Sequence, residues 1–481
     1  VAALALAGCT LEPHYVRPAP AIPSAWPAGP AYPQPQPQPQ PAEPLPALSY
    51  RDVFKDPRLV GLIEQALANN QNLRTTLANV EVARAEYRLQ RAELLPHVNA
   101  SATATQTHAR STIGGTTPVG EARTTRDYEV NLNLASFEVD LFGRLRSLSH
   151  AAFDQYLASE AGARAARLTL VSEVANAYLT LAADRTLLKV ASDTVASAGR
   201  TVALTQARLT WGVAPRTDLT SAETLLDQAR SDQAALTTQV AQDRNALELL
   251  VGARVPDSAL PAGIDDERGR LAEVPAGLDS RILLRRPDVV QAEYQLRAAN
   301  AQIGAARAAF FPTINLTGFA SYASPALSGL FNRRNFGWEG SGAGSLPIFA
   351  GGANVANLQA ARGQRKAALA SYQSAIQSAF RDVADALARR GTIDQQVSSQ
   401  EALNAAATAS YELSTARYQA GVDPYLNTLI AQRTLYEAQQ TLTDTRLAQA
   451  QNLVALYLSI GGDPLIEAMP AADPAAPASR K

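Results

Sequence analysis

Apolar residues recur every seven positions through 144–210: Val174, Leu181, Leu188, Val195, Val202 and Leu209, with Ala177, Ala191 and Ala198 each three further on from one of them. This is coiled-coil spacing with small residues along one seam. No proline interrupts 144–210 or 352–420. Each stretch predicts a helix of roughly 65 residues, near 100 Å at about 1.5 Å per residue, too long for a globular core. The second is less regular, with Val383, Val397, Tyr411 and Tyr418 on its seam. A shorter helix is expected over about 56–93, ending before Pro96. Elsewhere the period changes to two. In YEVNLNLA (128–135), Tyr128, Val130, Leu132 and Leu134 face one side while Glu129, Asn131 and Asn133 face the other. Strands are expected at about 97–108, 126–139, 313–324 and 336–348. Strands of roughly ten residues with one apolar and one polar face have the length and alternation of an outer-membrane barrel strand. A soluble hairpin with one buried face shows the same alternation. Four strands do not close a membrane barrel, and an open edge in hydrocarbon leaves backbone groups unpaired. If these strands span, the chain must oligomerise; two copies would supply eight strands and three would supply twelve.

The pattern occurs twice. ARLTWGVAP (207–215) and ARYQAGVDP (416–424) share Ala207/Ala416, Arg208/Arg417, Gly212/Gly421, Val213/Val422 and Pro215/Pro424 at an offset of 209. Each ends a helical run with a glycine, which tolerates the left-handed conformation, and then a proline suited to starting the next helix. Asp218 and Asn427 stand at the same offset just inside that next helix. Further downstream Ala222, Leu226, Leu247 and Gly252 meet Ala431, Leu435, Leu456 and Gly461. Upstream, RAELLPHVNAS (91–101) matches RAAFFPTINLT (307–317), and DLFGR (140–144) faces PIFAG (347–351). The chain is thus two copies of a unit of about 200 residues, a period too long for a solenoid. The expected class is mainly α with a small β part and an internal two-fold repeat.

Composition narrows the function. The net charge is −1, 18% of the 481 residues are charged, and 6% are aromatic. No basic run or aromatic groove suggests nucleic acid. No segment approaches the length of a spanning apolar helix. The single cysteine, Cys9, stands near the end of the opening stretch VAALALAGCT (1–10). Residues 1–8 read as the end of a secretory signal, and LAGC resembles a lipoprotein cleavage box, so Cys9 is expected to be acylated. Thr10, in place of the Asp that commonly retains lipoproteins at the inner membrane, implies the outer membrane. The segment 9–47, with PQPQPQPQP at 33–41, reads as an extended tether, and 463–481 as a disordered tail. His14, His97, His108 and His150 lack metal-ligand spacing, and there is no nucleophile elbow or phosphate loop. GSGAG (340–344) falls within a strand. No enzyme, cofactor or metal is expected. A passive duct and a non-conducting lipoprotein that bridges the envelope remain the two classes of function.

Four stretches carry a family resemblance: CTLEPHYVRP (9–18), RRPDVVQAEYQLRAANAQIGAARAAFFPTINLTGF (285–319), AIQSAFRDVADALARRGT (375–392) and ARYQAGVDPYLNTLIAQRTLYEAQQTL (416–442). They resemble the TolC family of outer-membrane efflux channels, in its OprM/NodT-type lipoprotein branch, over nearly the whole chain. The resemblance implies a homotrimer with a twelve-stranded outer-membrane barrel, a helical tunnel through the periplasm and a mixed equatorial belt (48–58, 253–286 and the tail after 461). It divides the chain into a first repeat, 48–261, an equatorial linker, 262–286, and a second repeat, 287–462. It also implies a periplasmic adaptor and an inner-membrane transporter of the resistance-nodulation-division (RND) type as partners; a type I secretion duct is the alternative. The repeated turns become the periplasmic mouth. Carried over residue by residue, Arg417, Tyr418, Leu426 and Arg433 match the family's lock and constriction, and Asp218 is the partner expected for them from its place beside the turn. Asn427 and Ile430 stand where some members carry acidic rings. Gly212–Val213 and Gly421–Val422 are the expected adaptor-docking turns.

Overall fold

The computed structural model describes residues 10–20, 22–23, 25–32, 49–110, 122–267, 269–271, 280–461 and 463–468. Residues 1–9, with the expected signal remnant and Cys9, the Pro-Gln run and the residues beyond 468 lie outside the described residues. Two compact units share the chain. One takes the described part of 1–18 together with 81–159 and 292–372; the other takes 19–80, 160–291 and 373–481. Neither is a half of the sequence, since each draws on both repeats.

The duplication is plain in element lengths. Helices α3 (Gln71–Ala92) and α6 (Pro287–Ala308) have 22 residues each. Helices α4 (Arg144–Thr210) and α7 (Ala353–Gln419) have 67 each, and α5 (Arg216–Val251) and α8 (Tyr425–Ile460) have 36 each. Short helices α1 (Tyr50–Val53), α2 (Pro57–Asn69) and α9 (Pro464–Ala468) complete the set described. The strands vary more, from β1 (Val98–Arg110) and β2 (Ala122–Glu138) to β3 (Thr313–Ser324) and β4 (Phe336–Ser345).

In the first unit the strands form one antiparallel sheet, ordered β1-β2-β3-β4. The register carries the alternation across it. Ala102, Val130, Tyr322 and Phe336 line up on one face; Thr103, Glu129 and Ala323 line up on the other. A bulge between Leu134 and Phe137 inserts one extra residue and pairs Phe137 with Leu316. Strict alternation from Leu134 would turn Phe137 to the polar face; the bulge returns it to the apolar one. Strands β1 and β4 have free edges among the described residues, and Trp338 on β4 is exposed.

The amino-terminal segment of this unit lies along α6. Arg307 donates to the Leu11 carbonyl (3.1 Å), Asn300 to the Pro13 carbonyl (2.7 Å), Arg297 stacks over the Tyr15 ring, and Glu293 pairs with Arg17. Gly304 lets the strap pass: a Cβ there would sit 2.9 Å from the Glu12 Cα. Residues 293, 297, 300, 304 and 307 follow a four-three spacing, so one stripe of α6 holds the strap. It runs antiparallel to α6, bringing Leu11 beside the helix end that leads into β3.

In the second unit the expected helix over 56–93 is two helices. Asn70 takes an extended conformation, accepts from the Leu73 N–H and donates to the Leu250 carbonyl, both at 2.9 Å. Gly252, at φ 71°, packs so tightly that a Cβ would lie 2.8 Å from the Asn69 carbonyl oxygen. Nearby, Asp56 caps α2 and gathers Arg58, Arg270 (3.0 Å) and the Tyr178 hydroxyl (2.9 Å). Phe54 bridges to Leu271, which ties 253–286 to the start of α2. Among the described residues no helix is long and apolar enough to cross a membrane.

Candidate functional site

The two repeated turns and the chain behind them lie within the second unit. In each turn the glycine is left-handed, Gly212 at φ 71° and Gly421 at φ 75°. Gly212 N–H bonds to the Leu209 carbonyl and Val213 N–H to that of Arg208; Gly421 and Val422 bond to Tyr418 and Arg417 in the same way. This pair of bonds is a Schellman motif, which satisfies carbonyls left over at a helix end. Pro215 and Pro424 then cap α5 and α8. Open space surrounds both glycines, and Trp211 (83% exposed), Val213 (73%) and Val422 stand out into it.

Behind the turns lies an apolar cluster of Ala198, Ala222, Leu225, Leu226, Tyr418, Tyr425 and Leu429. The tyrosine rings meet at 5.4 Å and 54°. Neither hydroxyl has a hydrogen-bond partner among the described residues. Burial pushes the Tyr425 hydroxyl up to about 12; Tyr418, Tyr411 and Asp218 add to this and Arg433 opposes it. Asp218 and Arg433 therefore act electrostatically on the same buried ring. Leu426 (58% exposed) and Ile430 project from α8 one turn apart as an uncovered apolar stripe.

Arg417 differs from expectation. Its fork grips Asp423 of its own turn, at 2.6 and 2.9 Å, and not Asp218. The hydrogen bonds from Arg417 hold Asp423 below the usual carboxylate range. The link between repeats is made instead by Arg208. It donates to the Tyr418 and Gln419 carbonyls at 3.0 and 3.1 Å and lies over the Tyr418 ring at 4.2 Å. Sequence reading marks Arg208 only as the repeat mate of Arg417. The available signal is a mismatch within the repeated turn: Ala214 stands where the second turn has Asp423.

The outer membrane efflux protein family model matches residues 62–253 and 278–462, one segment per repeat. The chain belongs to that family. It is 42% identical to the solvent efflux pump outer membrane protein SrpC of Pseudomonas putida, over 96% of this chain and 97% of that protein. It is 38% identical to the outer membrane protein OprJ of Pseudomonas aeruginosa, over 96% and 94%. Among solved structures, a membrane protein from Pseudomonas aeruginosa superposes with a TM-score of 0.83 at 37% identity, covering 94% of this chain and all of that one. The open state of the Neisseria gonorrhoeae MtrE outer membrane channel gives 0.81 at 35% identity, covering 94% and 98%. The family member described here is accordingly an efflux channel of the outer membrane that extends into the periplasm, and not an enzyme.

Proposed function

We propose that this efflux channel is the passive, gated exit duct of a tripartite pump, that it works as a homotrimer, and that the paired turns are its periplasmic mouth. The observation that carries the gate is the Tyr418–Tyr425 pair, buried directly behind both turns and flanked by Asp218 and Arg433. Leu426 extends from it as an apolar collar when three copies converge. The sheet requires several copies, because four strands with open edges need neighbours to satisfy their backbone in hydrocarbon, and the family resemblance makes the number three. Exposed Val213 and Val422 beside open glycines suit a periplasmic adaptor, with an RND-type inner-membrane transporter supplying the energy. Cargo is small molecules such as drugs; relatives are named for solvent, toluene and antibiotic efflux.

The proposal includes an anchor at Cys9. The α6 stripe supports it, since it carries the strap toward the start of β3, where the chain enters the sheet. Acyl chains on Cys9 would then meet the outer-membrane lipid near the base of the barrel.

Single-channel recording in planar bilayers tests the gate. Tyr425→Ala, which removes the ring that Tyr418 packs against, should raise conductance and admit large antibiotics such as vancomycin into cells, with the trimer intact. Wild-type conductance and antibiotic exclusion from an assembled trimer would place the lock elsewhere.

A further inference from the structure

We propose that Arg208 is a clasp that makes the two turns of one subunit move together, and that the choice between Ala214 and Asp423 decides which repeat-related arginine becomes the clasp. This rests on the reading of the turns as a gate.

Arg208 and Arg417 occupy the same place, four residues before the glycine of each turn, but they do different things. Arg417 stays in its own turn because Asp423 offers two carboxylate oxygens at 2.6 and 2.9 Å. A bidentate carboxylate is the strongest partner a guanidinium can find at close range. Ala214, at the matching place in the first turn, offers only a methyl group. Arg208 is therefore left to cross, and the second repeat gives it two attractions at once. The Tyr418 and Gln419 carbonyls form the negative end of α7, where a cation is favoured. The Tyr418 ring lies 4.2 Å from the guanidinium carbon, within cation–π range. The reverse crossing would meet the carbonyl end of α4 but no aromatic ring, because Leu209 and Arg216 hold the places of Tyr418 and Tyr425. One acidic residue, present in one copy and absent from the other, thus breaks the symmetry of the duplication.

The consequence is mechanical. Tyr418 packs against the tilted ring of Tyr425, and Arg208 holds Tyr418 by both its ring and its carbonyl. Displacing the second turn alone breaks the Arg208 contacts; displacing both turns together keeps them. Arg208 is a positioning residue for the gate, acting through Tyr418.

The decisive variant is Ala214→Asp, which rebuilds in the first turn the carboxylate that detains Arg417 in the second. It should draw Arg208 back into its own turn and raise the open-channel leak in planar bilayers several-fold, with the thermal midpoint of the trimer unchanged. Arg208→Ala should give the same leak, and the double variant no more than either single one, since both remove the same contact. Ala214→Asn, similar in size but uncharged, should behave as wild type, and Arg208→Lys should fall between. If Tyr425→Ala opens the channel but Ala214→Asp and Arg208→Ala do not, the gate stands and the clasp is overturned. If none of them opens it, the gate reading fails and takes the clasp with it. If Ala214→Asp does not assemble, Arg208→Ala and Arg208→Lys decide alone: equal, wild-type leaks overturn the clasp.

Discussion

Two carboxylates, the half-buried Asp184 and the buried Glu267, set the behaviour of the second unit near neutral pH. Burial first, then hydrogen bonding to and repulsion from Asp243, then repulsion from Asp444, raise Asp184 to about 7. Burial and the neighbouring Asp56 raise Glu267 to about 7, with Arg270 and Arg58 pulling the other way. A raised carboxyl holds a proton in the folded state that the unfolded chain has already lost. Between the ordinary carboxylate range and about 7 the folded state therefore binds more protons, and stability falls as pH rises through that window. Asp56 works in the opposite sense: its carboxyl is held well below its usual range by Arg58 and Tyr178, so its contribution is lost only in strong acid. The thermal midpoint in detergent should be higher at about pH 5.5 than at about pH 8. Asp184→Asn should raise the midpoint at the higher pH and shrink the difference. Identical melting of variant and wild type at both pH values would show that Asp184 is ionised throughout.

At the scale of elements, the helix ends were legible and the partners were not. Glycine followed by proline marks both turns, because a left-handed residue and a proline-capped helix start are local requirements that the backbone imposes. Replacing Gly212 and Gly421 with leucine places an L side chain at positive φ, at a cost of about 1–2 kcal/mol each. The open space around both positions means that the new side chains meet solvent and not the fold. The double variant should lose efflux, read as antibiotic sensitivity, while the trimer still reaches the outer membrane; normal efflux from assembled trimer would rule out docking at these turns. Asn70 shows what a periodic pattern misses. Helical periodicity continues across it, yet its side chain caps α3 and reaches the Leu250 carbonyl, so the break depends on a residue 180 positions away. The bulge after Leu134 is similar: it is defined by pairing with β3, which belongs to the other repeat.

For the whole molecule, the two compact units cross the duplication, and each joins segments from both copies. Such a chain completes its sheet only with neighbours, so assembly and anchoring are separable. Cys9→Ser should abolish incorporation of labelled palmitate while the trimer survives, because strand pairing and helix packing hold it. Undiminished labelling would reject Cys9 as the acylated residue.

By itself the sequence determined the class of protein: the long helices, the amphipathic strands, the turns and the duplication are each written in spacing or in glycine and proline, and these act over a few residues. Of the expected gate residues, Tyr418 lies in the apolar cluster behind the turns, and Asp218 and Arg433 act on Tyr425 beside it. Only the tertiary structure decided which charge meets which. Arg208 and Arg417 are equivalent in the repeat, and their different partners follow from competition between a near carboxylate and a distant helix end. That competition is settled by geometry between segments 209 residues apart, to which a local pattern carries no information.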